Sequence, residues 1–109
     1  MDHPQASPEA MRHYEQVAAR LAARGAKTSG MFGMPTLKLD GKALAGLYGD
    51  AMVFKLDGDA HAAALRLPGA HLFDPSGRGR PIKAWVVVSV AYAAEWERLA
   101  VDALAAIDG

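Results

Sequence analysis

The chain has 109 residues and a mass of 11.5 kDa, the size of a single domain. Hydrophobic residues make up 51% of it and charged residues 22%, which excludes intrinsic disorder for most of its length. Its 12 basic and 12 acidic side chains cancel, whereas proteins held on nucleic acid by phosphate contacts normally carry a basic excess. Direct nucleic-acid binding is therefore not expected.

The chain contains no cysteine, which excludes disulfides, thiol catalysis and thiolate metal sites. No basic segment followed by an apolar segment precedes the first helix, so no secretion signal is expected. The longest strongly apolar stretch, residues 84–94, is much shorter than the ~20 residues of a membrane helix. These features predict a cytoplasmic protein that does not enter a membrane.

The first helix is predicted from its capping signal. Residues 1–8 form a flexible lead-in, and residues 9–109 form a single domain. Ser7 is the expected N-cap and Pro8 the first helical residue. Apolar residues then recur at helical spacing as far as Leu21, and Gly25 supplies the stop.

The next segment has the pattern of a β-meander. Alternating residues 36–39 lead into Asp40-Gly41, the strongest short hairpin signal, and residues 43–48 form the return strand. A second tight turn at Gly49-Asp50 precedes a third strand over residues 52–56. Three antiparallel strands are therefore predicted here.

The second half of the chain adds two helices and two strands. Residues 57–59 offer a cap for a short helix over residues 60–67. Strands are predicted at residues 71–73 and 82–90, and the last helix begins near Val90 or Ala91. The order α-β-β-β-α-β-β-α indicates an α+β fold, in which helices cover an antiparallel five-stranded sheet.

A set of short motifs resembles the N-terminal domain of the TfoX/Sxy proteins over about residues 10–105. The motifs are Met31-Phe32-Gly33, Leu39-Asp40-Gly41-Lys42, Phe54-Lys55-Leu56, Gly69-Ala70-His71-Leu72-Phe73, Gly79-Arg80-Pro81 and Trp85. The resemblance implies the same element order and an association with natural competence in bacteria, where the full-length proteins act as transcriptional coactivators. Those proteins have a second, helical domain that this chain has no room for, so the resemblance implies a stand-alone domain.

A loop with three cations and no acid lies between the last two predicted strands. Arg78, Arg80 and Lys83 follow Ser76 among glycines that let a ligand approach the backbone closely. The loop is a candidate contact for an anion, a nucleic acid or an acidic protein. The alternative interpretation is a solvated turn between two strands.

An apolar cluster and two tryptophans are the other candidate binding residues. Met31, Phe32 and Met34 either close one end of the core or line a pocket or partner surface, because methionine adapts to irregular shapes. Trp85 and Trp96 are interpreted as core or interface residues rather than as platforms for bases.

Catalytic and metal sites are not predicted. The four histidines form no H-x-x-x-H pair, no Gly-x-Ser-x-Gly motif occurs, and Gly41-Lys42 is followed by Ala43 where a phosphate-binding loop requires Ser or Thr. No cofactor and no enzyme activity are expected.

Two functions remain open. The first is a small interaction module that binds another protein through a sheet edge or the Arg78–Lys83 loop, and that also forms a homodimer through its edges. The second is a small-molecule or anion-binding domain that uses the same loop.

Overall fold

Three α-helices and a six-stranded sheet make up the computed structural model, which describes residues 6–31, 34–74, 79 and 81–108. A 3₁₀-helix, Val90–Glu95, precedes the last α-helix. The elements in chain order are α1 (Pro8–Ala22), β1 (Lys27–Met31), β2 (Met34–Leu39), β3 (Lys42–Tyr48), β4 (Ala51–Lys55), α2 (Gly58–Leu65), β5 (His71–Phe73), β6 (Ile82–Ser89) and α3 (Trp96–Asp108). The predicted α+β class is confirmed.

The sheet has the strand order β1-β2-β3-β4-β6-β5, and every neighbouring pair is antiparallel. The predicted number of five strands is wrong, because β1 is a sixth strand at the edge of the sheet. Residues 27–30 of β1 are all exposed. Because none of them is buried, the sequence needs no alternation of apolar and polar residues there and shows none. Pairing with β2 through the backbone, rather than burial of side chains, makes this segment a strand.

The first helix begins as its capping signal predicts. The Ser7 hydroxyl accepts a hydrogen bond from the Ala10 N–H at 3.1 Å, and Pro8 is the first helical residue. The residues of α1 that face the core recur at helical spacing: Ala10, Tyr14, Val17 and Leu21 are buried. The capping and the amphipathic pattern together fix both the start of α1 and the side that it buries.

The hairpin between β2 and β3 turns as predicted and contains a bulge. Asp40 and Gly41 both have positive φ, 51° and 78°, as a two-residue type I′ turn requires. Leu37 pairs with Ala45 but Lys38 pairs with Ala43, so Leu44 is the additional residue of β3.

The helices cover one face of this sheet. α3 lies against β3 and β4, α1 contacts β1 and β3, and α2 contacts β6. Trp96 is fully buried at the start of α3, and its indole N–H donates to the Val88 carbonyl at 3.2 Å. No helix within the described residues is long and apolar enough to cross a membrane.

The last helix starts later than predicted. Val90–Glu95 forms a 3₁₀-helix, and Tyr92 within it has non-helical backbone angles of φ −113° and ψ 30°. The Ser89 hydroxyl accepts from the Ala91 N–H at 3.1 Å and so opens this segment. The α-helix itself begins at Trp96, directly after this 3₁₀-helix.

The Tyr14 hydroxyl is buried and has no hydrogen-bond partner, and it is the one such side-chain atom within the described residues. Replacing Tyr14 by Phe tests whether this hydroxyl contributes to stability. Burial raises the pKa of Tyr14 to about 12. Because no hydrogen bond is lost, we expect Tyr14→Phe to leave the free energy of unfolding unchanged or to raise it by up to ~1 kcal/mol at neutral pH. A loss above ~1 kcal/mol in denaturant titrations would contradict this.

We also expect Tyr14→Phe to change how the free energy of unfolding depends on pH. The folded pKa of Tyr14 lies above the unfolded value of about 10, so its contribution to stability is complete below pH ~10 and is lost as the pH rises towards 12. Tyr14→Phe lacks this loss. The difference in unfolding free energy between wild type and variant should therefore move in favour of the variant between about pH 10 and pH 12, while other titrating groups cancel in the comparison.

Candidate functional site: the outer face of the sheet

A second apolar cluster lies on the sheet face opposite the helices, here called the outer face. Its buried members all come from strands: Met34, Val53, Phe73, Trp85 and Val87. Partly buried residues packed against it also come from strands, among them Ala43, Tyr48 and Ala51. Successive strand residues point to opposite faces, so the strands that carry the helix-side core also carry this cluster.

A glycine makes the centre of the outer face close-packed. Gly46 of β3 pairs with Thr36 on one side and Val53 on the other. A Cβ at Gly46 would lie 2.8 Å from Met34 Cε and 3.1 Å from the Pro35 carbonyl oxygen. The Met34 side chain therefore lies across β3 at the position where a larger residue would project.

The charges of the strands are all of one sign. No aspartate or glutamate occurs within any of the six described strands, whereas every lysine of the chain lies on a strand. The lysines are Lys27 on β1, Lys38 on β2, Lys42 on β3, Lys55 on β4 and Lys83 on β6. The zero net charge of the chain therefore conceals a separation, with a cationic sheet and its acids in helices, turns and termini.

Three of these lysines project from the outer face. Lys38 lies between Leu37 and Leu39, both in the helix-side core, so its side chain points away from the helices. Lys55 lies in the same way between Phe54 and Leu56.

Lys27 pairs directly with Lys38 across β1 and β2 and shares its face. Lys27, Lys38 and Lys55 together are called the lysine row. Lys42 pairs with Leu39 and belongs to the helix side.

The lysine row lacks internal counter-charges. Within the described residues, no carboxylate lies within 4.0 Å of Lys27, Lys38 or Lys55, whereas Arg20 on the helix side pairs with Glu97 at 2.6 Å. Like charges directly opposite each other on neighbouring strands are destabilising, and Lys27 and Lys38 are in that arrangement. The row is thus a place where an added anion lowers the electrostatic energy.

Two shallow clefts border the lysine row at the ends of its strands. One of about 310 Å³ is lined by Lys27, Thr28, Ser29 and Lys38, together with Asp40 of the hairpin turn. The other, of about 260 Å³, lies against the end of α3 and is lined by Lys42, Lys55 and Asp57 together with Ala106 and Ile107. Both volumes are at or below the lower end of the ~300–1,000 Å³ typical of small-molecule pockets, and each contains one acid that limits its attraction for a small anion.

The structure places the predicted binding residues in different environments. Arg78, Arg80 and Phe32 lie outside the described residues, as does the side chain of Met31. Met34 is 3% exposed and Trp85 7% exposed, and both belong to the apolar cluster of the outer face; ligand contact by either stays a prediction. Lys83 is exposed at the start of β6.

Two histidines have specific structural contacts. The Lys83 carbonyl accepts a hydrogen bond from His61 Nε2 at 2.7 Å, which joins α2 to the beginning of β6. The His13 ring meets the Trp96 indole edge-on, with centroids 6.2 Å apart. Within the described residues, no three His, Asp or Glu side chains are grouped so that they could hold a metal ion.

The sequence interpretation missed the lysine row. It weighed cations by their density along the chain, which favours the Arg78–Lys83 loop, while the row collects one lysine from each of three separate strands. A signal was present, because Lys38 and Lys55 each interrupt an apolar pattern at the outward position of a predicted strand.

The fold and site together define an α+β domain with one helix-covered face and one cationic face. Comparison with protein-family models, curated proteins and solved structures finds no match to this chain. The resemblance to TfoX/Sxy N-terminal domains therefore stays a prediction from the sequence motifs.

The sequence predicts self-association through a sheet edge, and the position of β1 indicates which edge would pair. β1 is an edge strand whose residues 27–30 are exposed, so its backbone groups on the outer side can pair with a second copy. Pairing would bring two copies of Lys27 close together, and we expect any dimer to strengthen with salt. Light scattering at rising protein and salt concentration measures this; a monomer throughout would exclude it.

Substitution of Gly46 by Ala tests the packing of the outer face. The added methyl group displaces Met34 and presses on the Pro35 carbonyl, and we expect a loss of ~1–3 kcal/mol in unfolding free energy. In a Met34→Ala background the same substitution should cost less, because one of the two close contacts is gone. Equal costs in both backgrounds would show that Met34 does not lie across Gly46.

Proposed function

We propose that the protein is a non-enzymatic, cytoplasmic interaction module that binds an acidic partner through the outer face of its sheet. The observation that carries this proposal is the separation of charge, with lysines on five strands and no acid on any described strand. A random arrangement of 12 bases and 12 acids would place both signs on a sheet of this size. The outer face is the part of this sheet that no described helix covers.

Rigid strands make the lysine row suited to binding. The backbone of each lysine is held by ladder hydrogen bonds, and the apolar cluster beneath the row is buried, so the charges sit on a fixed platform. Lys27 and Lys55 are exposed and Lys38 is half-buried, so their ammonium groups reach solvent without a competing carboxylate within 4.0 Å in the described residues. An acidic partner gains from both the unneutralised charge and the fixed geometry.

The sequence motifs support a transcription-related role for such a module, since they resemble the N-terminal domain of competence coactivators. The other function open at the sequence level, a small-molecule or anion-binding domain, has weaker support from the geometry. The clefts beside the lysine row are small, shallow and each contain an aspartate. An extended acidic surface fits the row better than a compact ligand does.

Charge reversal at the row tests the proposed function. We expect Lys27→Glu/Lys55→Glu to elute from immobilised heparin at clearly lower salt than the wild type, because two exposed cations of the row become anions. The matched control is Arg12→Glu/Arg66→Glu, two exposed helix-layer arginines for which no ion pair is found within the described residues.

Both double variants change the net charge by the same amount. If the control elutes as early as the lysine variant, total charge rather than the outer face governs binding, and the proposal fails. Circular dichroism and thermal unfolding of all three proteins establish that the comparison is made between folded molecules.

A further inference from the structure

We propose that the acidic partner of the outer face is a single-stranded nucleic acid that lies across the strands, with its phosphates on the lysine row. This inference rests on the proposed function and names the chemistry of the partner. A neutral net charge argues against nucleic-acid binding only if the charges are spread evenly over the surface. Here they are not, because the described strands carry lysines and no acids.

The direction of the row favours a ligand that crosses the sheet. Lys27, Lys38 and Lys55 lie on β1, β2 and β4, which are separated by one and two strand spacings. At ~4.8 Å per spacing the row extends about 14 Å perpendicular to the strands. A peptide strand added to the β1 edge would lie about 19 Å from the Lys55 backbone and could contact only the near end of the row.

The backbone chemistry of the partner decides between nucleic acid and peptide. A peptide that crosses a sheet face presents N–H and C=O groups to side chains and loses the ladder hydrogen bonds that strand addition supplies. A phosphodiester backbone has no such donors to satisfy and needs only cations. The row offers cations across the face, so its geometry matches the phosphodiester backbone.

The width of the sheet excludes recognition of a duplex through its major groove. That groove, ~12 Å wide in B-DNA, admits an α-helix or a two-stranded ribbon. The lysine row spans four adjacent strands of a six-stranded sheet, which is too wide to enter it. A flexible single strand can follow the row phosphate by phosphate, whereas a rigid duplex meets it only with its outer phosphates, and the experiment below compares the two.

The residue types indicate binding without base recognition. Lysine is a point charge, in contrast to the arginine fork that reads guanine or grips one phosphate bidentately. Ala43 pairs with Lys38 and packs against the apolar cluster, whose buried members are at most 7% exposed. Trp85 therefore offers no open ring on which a base could stack, and the contact rests on the phosphates.

The experiment is fluorescence anisotropy with a labelled oligothymidylate of about 12 nucleotides at low salt. We expect binding that weakens as salt rises, with a log–log slope of up to about −2 for three phosphates on the row. We expect Lys27→Gln/Lys55→Gln to lose about tenfold or more in affinity and to show a shallower slope. The control Arg12→Gln/Arg66→Gln should retain wild-type affinity.

Two further probes separate this inference from the proposed function. A polyglutamate peptide of matched charge that binds as tightly as the oligonucleotide would overturn the nucleic-acid assignment and leave the acidic-partner proposal standing. A duplex of matched length that binds as tightly as the single strand would overturn the single-strand assignment. If neither the oligonucleotide nor polyglutamate binds, both the inference and the proposed function are wrong.

Discussion

The contact between α3 and the middle of the sheet determines the rest of this structure. Trp96 is fully buried at the first turn of α3, and its indole N–H has a partner in the Val88 carbonyl of β6. This bond satisfies the polar atom of the largest fully buried side chain among the described residues, and it joins the start of α3 to β6. With α3 over β3 and β4, α1 and α2 fill the two flanks, and the single helical layer is complete.

Within the described residues the helices cover only one face of the sheet, and the apolar cluster on the other face is built from strand residues. This cluster surrounds Val53 and is close-packed where Met34 crosses Gly46. The members of this cluster are at most 7% exposed, so the lysines, and not apolar side chains, are what the outer face presents at its β1 edge. Lysines on strands are one of the devices that discourage association between sheets.

The same charges are the basis of the binding that we propose for the outer face. To discourage association between the sheets of two copies, cations need only be present on the strands, in any arrangement and with or without nearby acids. The observed pattern goes further, because Lys27 lies opposite Lys38 in register and no described strand contains an acid. Keeping like charges opposite each other costs stability, and a polyanion bound as we propose would recover that cost. Outside the six described strands the chain has 7 arginines and 12 acids, and this excess of five acids neutralises the chain as a whole without neutralising the sheet.

The sequence by itself determined the elements whose signals are local. The Ser7 cap, the period of α1 and the Asp40-Gly41 turn each depend on a few neighbouring residues, and each was predictable for that reason. The edge strand β1 was not, since an exposed strand has no alternation and exists because β2 offers it hydrogen bonds. The tertiary structure alone decided the lysine row. Lys27 and Lys55 are 28 positions apart in the chain and come to one face only through the strand order and register, which no local pattern encodes.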